Sequence, residues 1–216
     1  MLDFEAIKIP NAKITIIWLH GLGASGHDFM PLVPQFHSAG LAANFILPHA
    51  PVQSVTINGG MKMRAWYDIY AFGSDAKEDI DGLKKSVANV HELIAAEDDP
   101  SKVVLAGFSQ GGATAIAAAL TYDKPLAGLI ALSTYAAGAK SWVAHNVAQP
   151  ASLPIFTAHG EWDEVLPPVL GKISKKFLDS MGFNPKHHIY PMGHELCGEE
   201  VADILGFLLR ISNPSS

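Results

Sequence analysis

The sequence predicts an α/β fold with a mostly parallel central sheet covered by helices on both faces. Two observations carry this expectation: six short apolar runs rich in Val, Ile and Leu recur along the chain, and segments with apolar residues at steps of three and four lie between them. Parallel strands need crossover connections and are buried on both sides, which is what such alternation supplies. The length of 216 residues, with no internal repeat and no linker-like stretch, fits one domain spanning residues 1–216.

In chain order, the runs at residues 14–19 and 44–47 read as the first strands. Ile80, Leu83, Val87, Val90 and Ile94 then form one stripe of an amphipathic helix, in which Gly82 costs about 1 kcal/mol relative to alanine. A strand at 103–108 leads into an alanine-rich helical run at 112–120, followed by strands at 126–132 and 154–159. Val169, Ile173, Phe177 and Met181 repeat the helical spacing, residues 187–190 read as a last strand, and Val201, Ile204, Leu205 and Leu208 close the chain as a helix. The less regular stretches, 48–75 and 133–154, are too long for plain connections and are candidates for a surface built over a site.

Composition narrows the function classes. With 49% hydrophobic and 17% charged residues the chain is not intrinsically disordered, and a net charge of -6 with scattered Lys and Arg argues against a nucleic-acid partner. The lone cysteine, Cys197, excludes an internal disulfide and a multi-cysteine zinc site. Together with an acidic start, Met1-Leu2-Asp3-Phe4-Glu5, that does not read as a signal peptide, it predicts a cytoplasmic protein. No apolar run approaches the roughly 18–20 residues that cross a bilayer, so no integral membrane association is expected.

The sharpest chemical signal is Gly107-Phe108-Ser109-Gln110-Gly111, with a strand before it and a helix after it. A serine on a tight strand-to-helix turn holds its hydroxyl out of the sheet, flanking glycines let the backbone fold back, and the helix N-terminus offers N–H groups to a developing oxyanion. A serine hydroxyl needs a base, and in this turn type an acid and then a histidine follow in the chain. His194 follows the last strand-like run, whereas His187 and His188 lie within it. For the acid, Asp163 competes with its neighbours Glu161 and Glu164, and the residues alone leave that choice open. His20-Gly21-Leu22-Gly23 follows the first strand, where the Leu22 N–H can pair with that of Gln110 as the two oxyanion donors. A plain βα turn or a dinucleotide loop is the rival reading of this glycine-rich segment. Ser133 lacks flanking glycines and reads as a loop hydroxyl, and Cys197 as a small packed residue. Met61, Met63, Trp66 and Tyr67 are candidates to line an apolar groove for an acyl chain.

Taken together, these residues resemble the acyl-protein thioesterase and carboxylesterase (phospholipase/carboxylesterase) family of α/β-hydrolases. The resemblance rests on His20-Gly21-Leu22-Gly23, Pro48-His49-Ala50-Pro51, Thr56-Ile57-Asn58-Gly59-Gly60-Met61, Ala65-Trp66-Tyr67-Asp68-Ile69, Gly107-Phe108-Ser109-Gln110-Gly111-Gly112, His159-Gly160-x-x-Asp163 and Met192-Gly193-His194-x-x-Cys197, in family order. It implies an α/β-hydrolase fold, Ser109 as nucleophile, His194 as base, Asp163 rather than its glutamate neighbours as orienting acid, and Leu22 with Gln110 as oxyanion donors. Three departures bear on the pocket mouth and so on acyl preference. The loop Gly23-Ala24-Ser25-Gly26 lies where many relatives carry an aspartate, Glu164 stands where a proline is common, and Ala136-Ala137 where Leu-Pro is frequent.

The expected function is therefore a serine carboxylesterase cleaving esters or thioesters of short to medium acyl chains through an acyl-enzyme, with no large cap domain and no metal or cofactor. Acyl-protein thioesterase and lysophospholipase are the alternatives within the class. A noncatalytic homologue that holds a hydrophobic ligand is the alternative outside it. The expected partners are a small ester or thioester or an acylated protein, and apolar groove walls also suit a homodimer.

Overall fold

The computed structural model describes residues 2–71, 77–139 and 141–213. The elements in order are β1 (Phe4–Ile7), β2 (Ile14–Leu19), α1 (Leu32–Ser38), β3 (Ala43–Pro48), β4 (Val52–Val55), β5 (Met61–Arg64), α2 (Ile80–Ala95), β6 (Val103–Phe108), α3 (Gln110–Thr121), β7 (Gly128–Leu132), β8 (Ile155–Gly160), α4 (Pro168–Ser180), β9 (Lys186–Tyr190) and α5 (Gly198–Ser212). One seven-stranded sheet has the order β1-β3-β2-β6-β7-β8-β9 and is parallel except for β1, which pairs antiparallel with β3. From β2 the chain moves outward to β3 and later returns to the other side of β2 as β6. The strand order reverses there, and Leu19 lies beside Gly107. The crevice at such a reversal, past the carboxyl ends of the strands, is where an open α/β sheet offers a site.

Period-two alternation divides the sheet residues between two cores. Ile17, Leu19, Leu105, Leu129 and Ala131 pack with α2 and α3 on one face. Ile16, Trp18, Val104, Ile130, Phe156 and Ala158 pack with α1 and α5 on the other. The central strands β2 and β7 are buried at every position, so apart from Thr15 they show apolar runs rather than alternation.

Several elements depart from the sequence reading. Strand β1 was not anticipated: four residues with alternating exposure carry too little periodicity to register. The stretch at 48–75 contains the β4–β5 hairpin, paired from Val52 with Arg64 to Val55 with Met61 and turned by Gly59 and Gly60, both in the left-handed region. Residues 72–75 of that stretch, and residue 140 of the other irregular stretch, lie outside the described residues. Gly82 sits directly against the cap of its own helix. The Asp79 carboxylate caps α2 by accepting the Gly82 N–H at 3.0 Å, and a β-carbon there would lie 2.0 Å from that carboxylate.

Helix α4 corrects its expected face. Val169 and Ile173 are exposed and Phe177 and Met181 only partly buried, while Gly171, Ser174 and Leu178 face inward. Small residues are needed because two imidazoles lie beneath the helix. A β-carbon on Gly171 would come within 2.6 Å of His159 Nδ1 and 3.2 Å of the His187 ring.

In the first turn of α5, Glu200 is fully buried, and neither carboxylate oxygen has a hydrogen-bond partner among the described residues. Burial raises its pKa from the ordinary 4.5 to about 8. The native protein thus keeps a proton that the unfolded chain loses above its ordinary pKa. This group's contribution to stability is full in acid and falls as pH rises between those values, at about 1.4 kcal/mol per pH unit. In urea unfolding at about pH 5 and about pH 8, Glu200→Gln is expected to lessen the alkaline loss of stability by roughly 3 kcal/mol relative to the wild type. Identical losses in both proteins would contradict a buried, neutral Glu200.

Candidate active site

Ser109 is the residue between β6 and α3. Its backbone is held at φ 54° and ψ -122°, a region side-chain-bearing residues rarely occupy, at a cost of about 1–3 kcal/mol. The surroundings enforce it. The Ser109 N–H donates to Leu132 O at 2.9 Å, and the Ser109 carbonyl accepts from Ala113 N at 3.1 Å and Thr134 Oγ1 at 2.6 Å. The turn is tight enough that a β-carbon on Gly107 would lie 2.3 Å from Gly111 O, and one on Gly111 2.3 Å from Leu19 O. Both glycines are there for close backbone approach.

The loops after β8 and β9 are laced together by Glu161 N–H to Tyr190 O at 2.8 Å and Trp162 N–H to Met192 O at 3.0 Å, which brings Asp163 and His194 side by side. His194 Nδ1–H donates to Asp163 Oδ2 at 2.7 Å, which leaves Nε2 to accept the Ser109 hydroxyl at 2.9 Å. The other carboxylate oxygen, Oδ1, accepts the N–H groups of Val165 at 3.0 Å and Leu166 at 2.8 Å. Asp163 is buried, whereas Glu161 and Glu164 are exposed.

His159 is a neighbour that sequence reasoning did not single out beyond its motif. Its Nε2–H donates chiefly to Leu166 O at 2.7 Å, with Asp163 Oδ2 farther off at 3.4 Å, so it braces the turn whose amides hold the carboxylate. Burial lowers its pKa and keeps the ring neutral. His187, bonded through Nδ1 to Thr157 Oγ1 at 2.8 Å, is pushed down to about 4 by burial and serves packing.

The loop after β2 is fixed from three sides. His20, driven to about 4 by burial, donates from Nδ1 to Gly21 O at 2.7 Å and accepts the Ala50 N–H on Nε2 at 3.0 Å. Gly23 N–H donates to Arg64 O at 2.8 Å, tying the loop to the β4–β5 hairpin. Trp66 Nε1–H donates to His20 O at 2.8 Å. The Gln110 side chain clamps the same segment, accepting from Trp66 N at 2.9 Å and donating to Tyr67 O at 2.7 Å. The Leu22 N–H donates to no other group among the described residues. Gln110, as the first residue of α3, has an N–H that the helix leaves free.

Residues 5–212 match the model of a family described as Phospholipase/Carboxylesterase. The chain belongs to that family. It is a serine hydrolase of the class that acts on esters and thioesters. Acyl-protein thioesterase 1 of Neurospora crassa is 41% identical over 215 residues, covering 93% of this chain and 87% of the relative. The protein of the same name from Saccharomyces cerevisiae is 35% identical over 217 residues, covering 95% and 96%. Among solved structures, acyl-protein thioesterase 2 of Zea mays superimposes with a TM-score of 0.88 at 28% identity, covering 98% of this chain and all of that one.

In this phospholipase/carboxylesterase chain a cleft of about 430 Å³ opens over Ser109 and His194, walled by Leu22, Phe29, Ile69, Phe108, Tyr135, Val165, Leu166 and Leu196 among others. The groove expected from Met61, Met63, Trp66 and Tyr67 needs correction, since only Tyr67 reaches the cleft. Met61 stands exposed on the hairpin, and Met63 Sδ accepts from Asn58 Nδ2 at 3.2 Å. The Trp66 indole is spent in the core, holding the β2 loop. Phe29, Phe108 and Tyr135 were missed because they come from separate elements and share no local pattern.

Ser133 follows β7, with its hydroxyl buried and unpartnered among the described residues. Cys197 is partly buried against the α5-side core. Glu5, His27 and His49 offer atoms within 4.8 Å of one another, the spacing of a metal site. Their hydrogen bonding fits a cation poorly. His49 Nδ1 accepts the Gly26 N–H at 3.1 Å, so its proton sits on Nε2, which faces Glu5 Oε1 at 3.4 Å and has no lone pair to give.

Proposed function

We propose that Ser109 is the nucleophile, His194 its general base and Asp163 the acid that orients it. Ser109 Oγ attacks the carbonyl of an ester or thioester while its proton passes to His194 Nε2. The oxyanion is held by the Leu22 and Gln110 N–H groups, and the imidazolium protonates the leaving alcohol or thiol. Water, deprotonated by the same imidazole, then attacks the acyl-enzyme and releases the acid, restoring Ser109. The unbroken relay Asp163–His194–Ser109, at 2.7 and 2.9 Å, carries this reading. Asp163, bonded on both oxygens and buried, stabilises the imidazolium without taking its proton.

The cleft volume and its apolar walls support monoacyl substrates of short to medium chain length. In a panel of p-nitrophenyl esters, kcat/KM is expected to peak in that range, and a peak at very long chains would contradict it. Acylated cysteine on proteins is the second reading, favoured by relatives named for acyl-protein thioesterase activity. We further propose that residues 1–216 act as one domain, since both cores share the same sheet, and that the compartment is cytoplasmic, in keeping with a single free cysteine. No helix among the described residues is long and apolar enough to cross a membrane.

A further inference from the structure

Within the largely apolar cleft, Tyr67 and Tyr135 meet hydroxyl to hydroxyl at 3.1 Å. Each phenol carries one proton. In the pair, one proton is spent on the partner's oxygen and the other is left over, and neither hydroxyl makes another hydrogen bond among the described residues. Burial raises the pKa of both tyrosines, so the pair stays neutral and keeps both protons. The bridge also fixes the two rings against each other, so the surplus donor is held in place before any ligand arrives. The pair is part-buried and faces the cleft, so its surplus proton bonds to water until a substrate acceptor displaces it, and a substrate that displaces the water without offering an acceptor leaves the donor unpaired.

We propose that the Tyr67–Tyr135 hydroxyl pair is a polar subsite that donates one hydrogen bond to an ether, hydroxyl or carbonyl oxygen of the substrate, set apart from the scissile carbonyl. The enzyme then favours oxygenated esters over purely alkyl ones of the same size. A site built around a positioned donor that the substrate covers discriminates against an isostere that lacks the matching acceptor more strongly than an apolar wall rejects a small change in chain length. The inference rests on the reading of Ser109 and His194 as the reacting pair and adds a substrate class to it. The oxygen can lie on the acyl chain or on the alcohol, and isosteric ester pairs separate the two.

The test compares kcat/KM for p-nitrophenyl β-methoxypropanoate with p-nitrophenyl pentanoate, and for methoxyethyl pentanoate with butyl pentanoate, each corrected for its rate with hydroxide. The wild type is expected to favour the oxygenated member of one pair, and the arm that shows the preference locates the oxygen. Tyr67→Phe and Tyr135→Phe each leave one hydroxyl with a free proton, so each should keep that preference within about threefold. The double phenylalanine variant should lower it by about tenfold, the value of one neutral hydrogen bond, a ratio read within one enzyme whatever its absolute rate. A double variant that turns over alkyl esters with both ratios unchanged would overturn the subsite. So would a wild type with no preference on either arm, a result that needs no variant to fold. If the wild type hydrolysed none of the four esters, the reading of Ser109 would fail and take the subsite with it.

Discussion

Replacing Ser109 with alanine is expected to lower kcat by roughly four orders of magnitude or more, leaving only the rate that binding and the oxyanion donors provide. The fold should survive. Among the described residues the Ser109 side chain bonds only to His194, and the backbone is held by Leu132 O, Ala113 N and Thr134 Oγ1, none of which the substitution removes. Ester hydrolysis measured beside a thermal melt separates the two effects. Turnover within tenfold of the wild type by a well-folded variant would contradict the assignment.

The second large effect is expected from Asp163→Asn. Oδ1 is fixed by two backbone donors, Val165 and Leu166, which cannot turn away. An asparagine must therefore set its carbonyl oxygen against those amides and present its NH2 group to His194 Nδ1. The imidazole can meet that donor only by accepting on Nδ1, which moves its own proton to Nε2, opposite the serine hydroxyl. A base already protonated on the working nitrogen cannot take the serine proton, and a loss of roughly 10⁴ in kcat follows. The exposed neighbours serve as controls. Glu161→Gln and Glu164→Gln should each stay within about twofold of wild type, as surface changes usually do. A large loss in either control, with Asp163→Asn active, would move the acid to that position.

Much of the sheet was legible because its inner strands are buried on both faces and therefore write themselves as mostly apolar runs; β2, β6, β7 and β8 are examples. Strand β1 was not, since an edge strand of four half-exposed residues resembles any terminal segment. The elbow at Ser109 was legible from local pattern alone. Asp163 was set apart from Glu161 and Glu164 by the family resemblance alone and not by local pattern, because burial and the converging amides of Val165 and Leu166 are properties of the folded turn. Helix α4 misled for a related reason. Its apolar stripe was read as the buried face, but the imidazoles of His159 and His187 occupy the space beneath it and demand Gly171 and Ser174 instead. The cleft wall was the least legible part. Met61 and Trp66 looked suited to an acyl groove by residue type, yet one lies on a solvent face and the other is committed to the His20 carbonyl. Phe29, Phe108 and Tyr135 took their place from three distant segments.

The central claim is that Ser109 is an activated nucleophile, and intact-mass measurement after exposure to a fluorophosphonate addresses it most directly. The account predicts one covalent adduct on the wild type and none on Ser109→Ala. An unmodified wild type that is well folded, or an adduct that persists in the alanine variant, would contradict it.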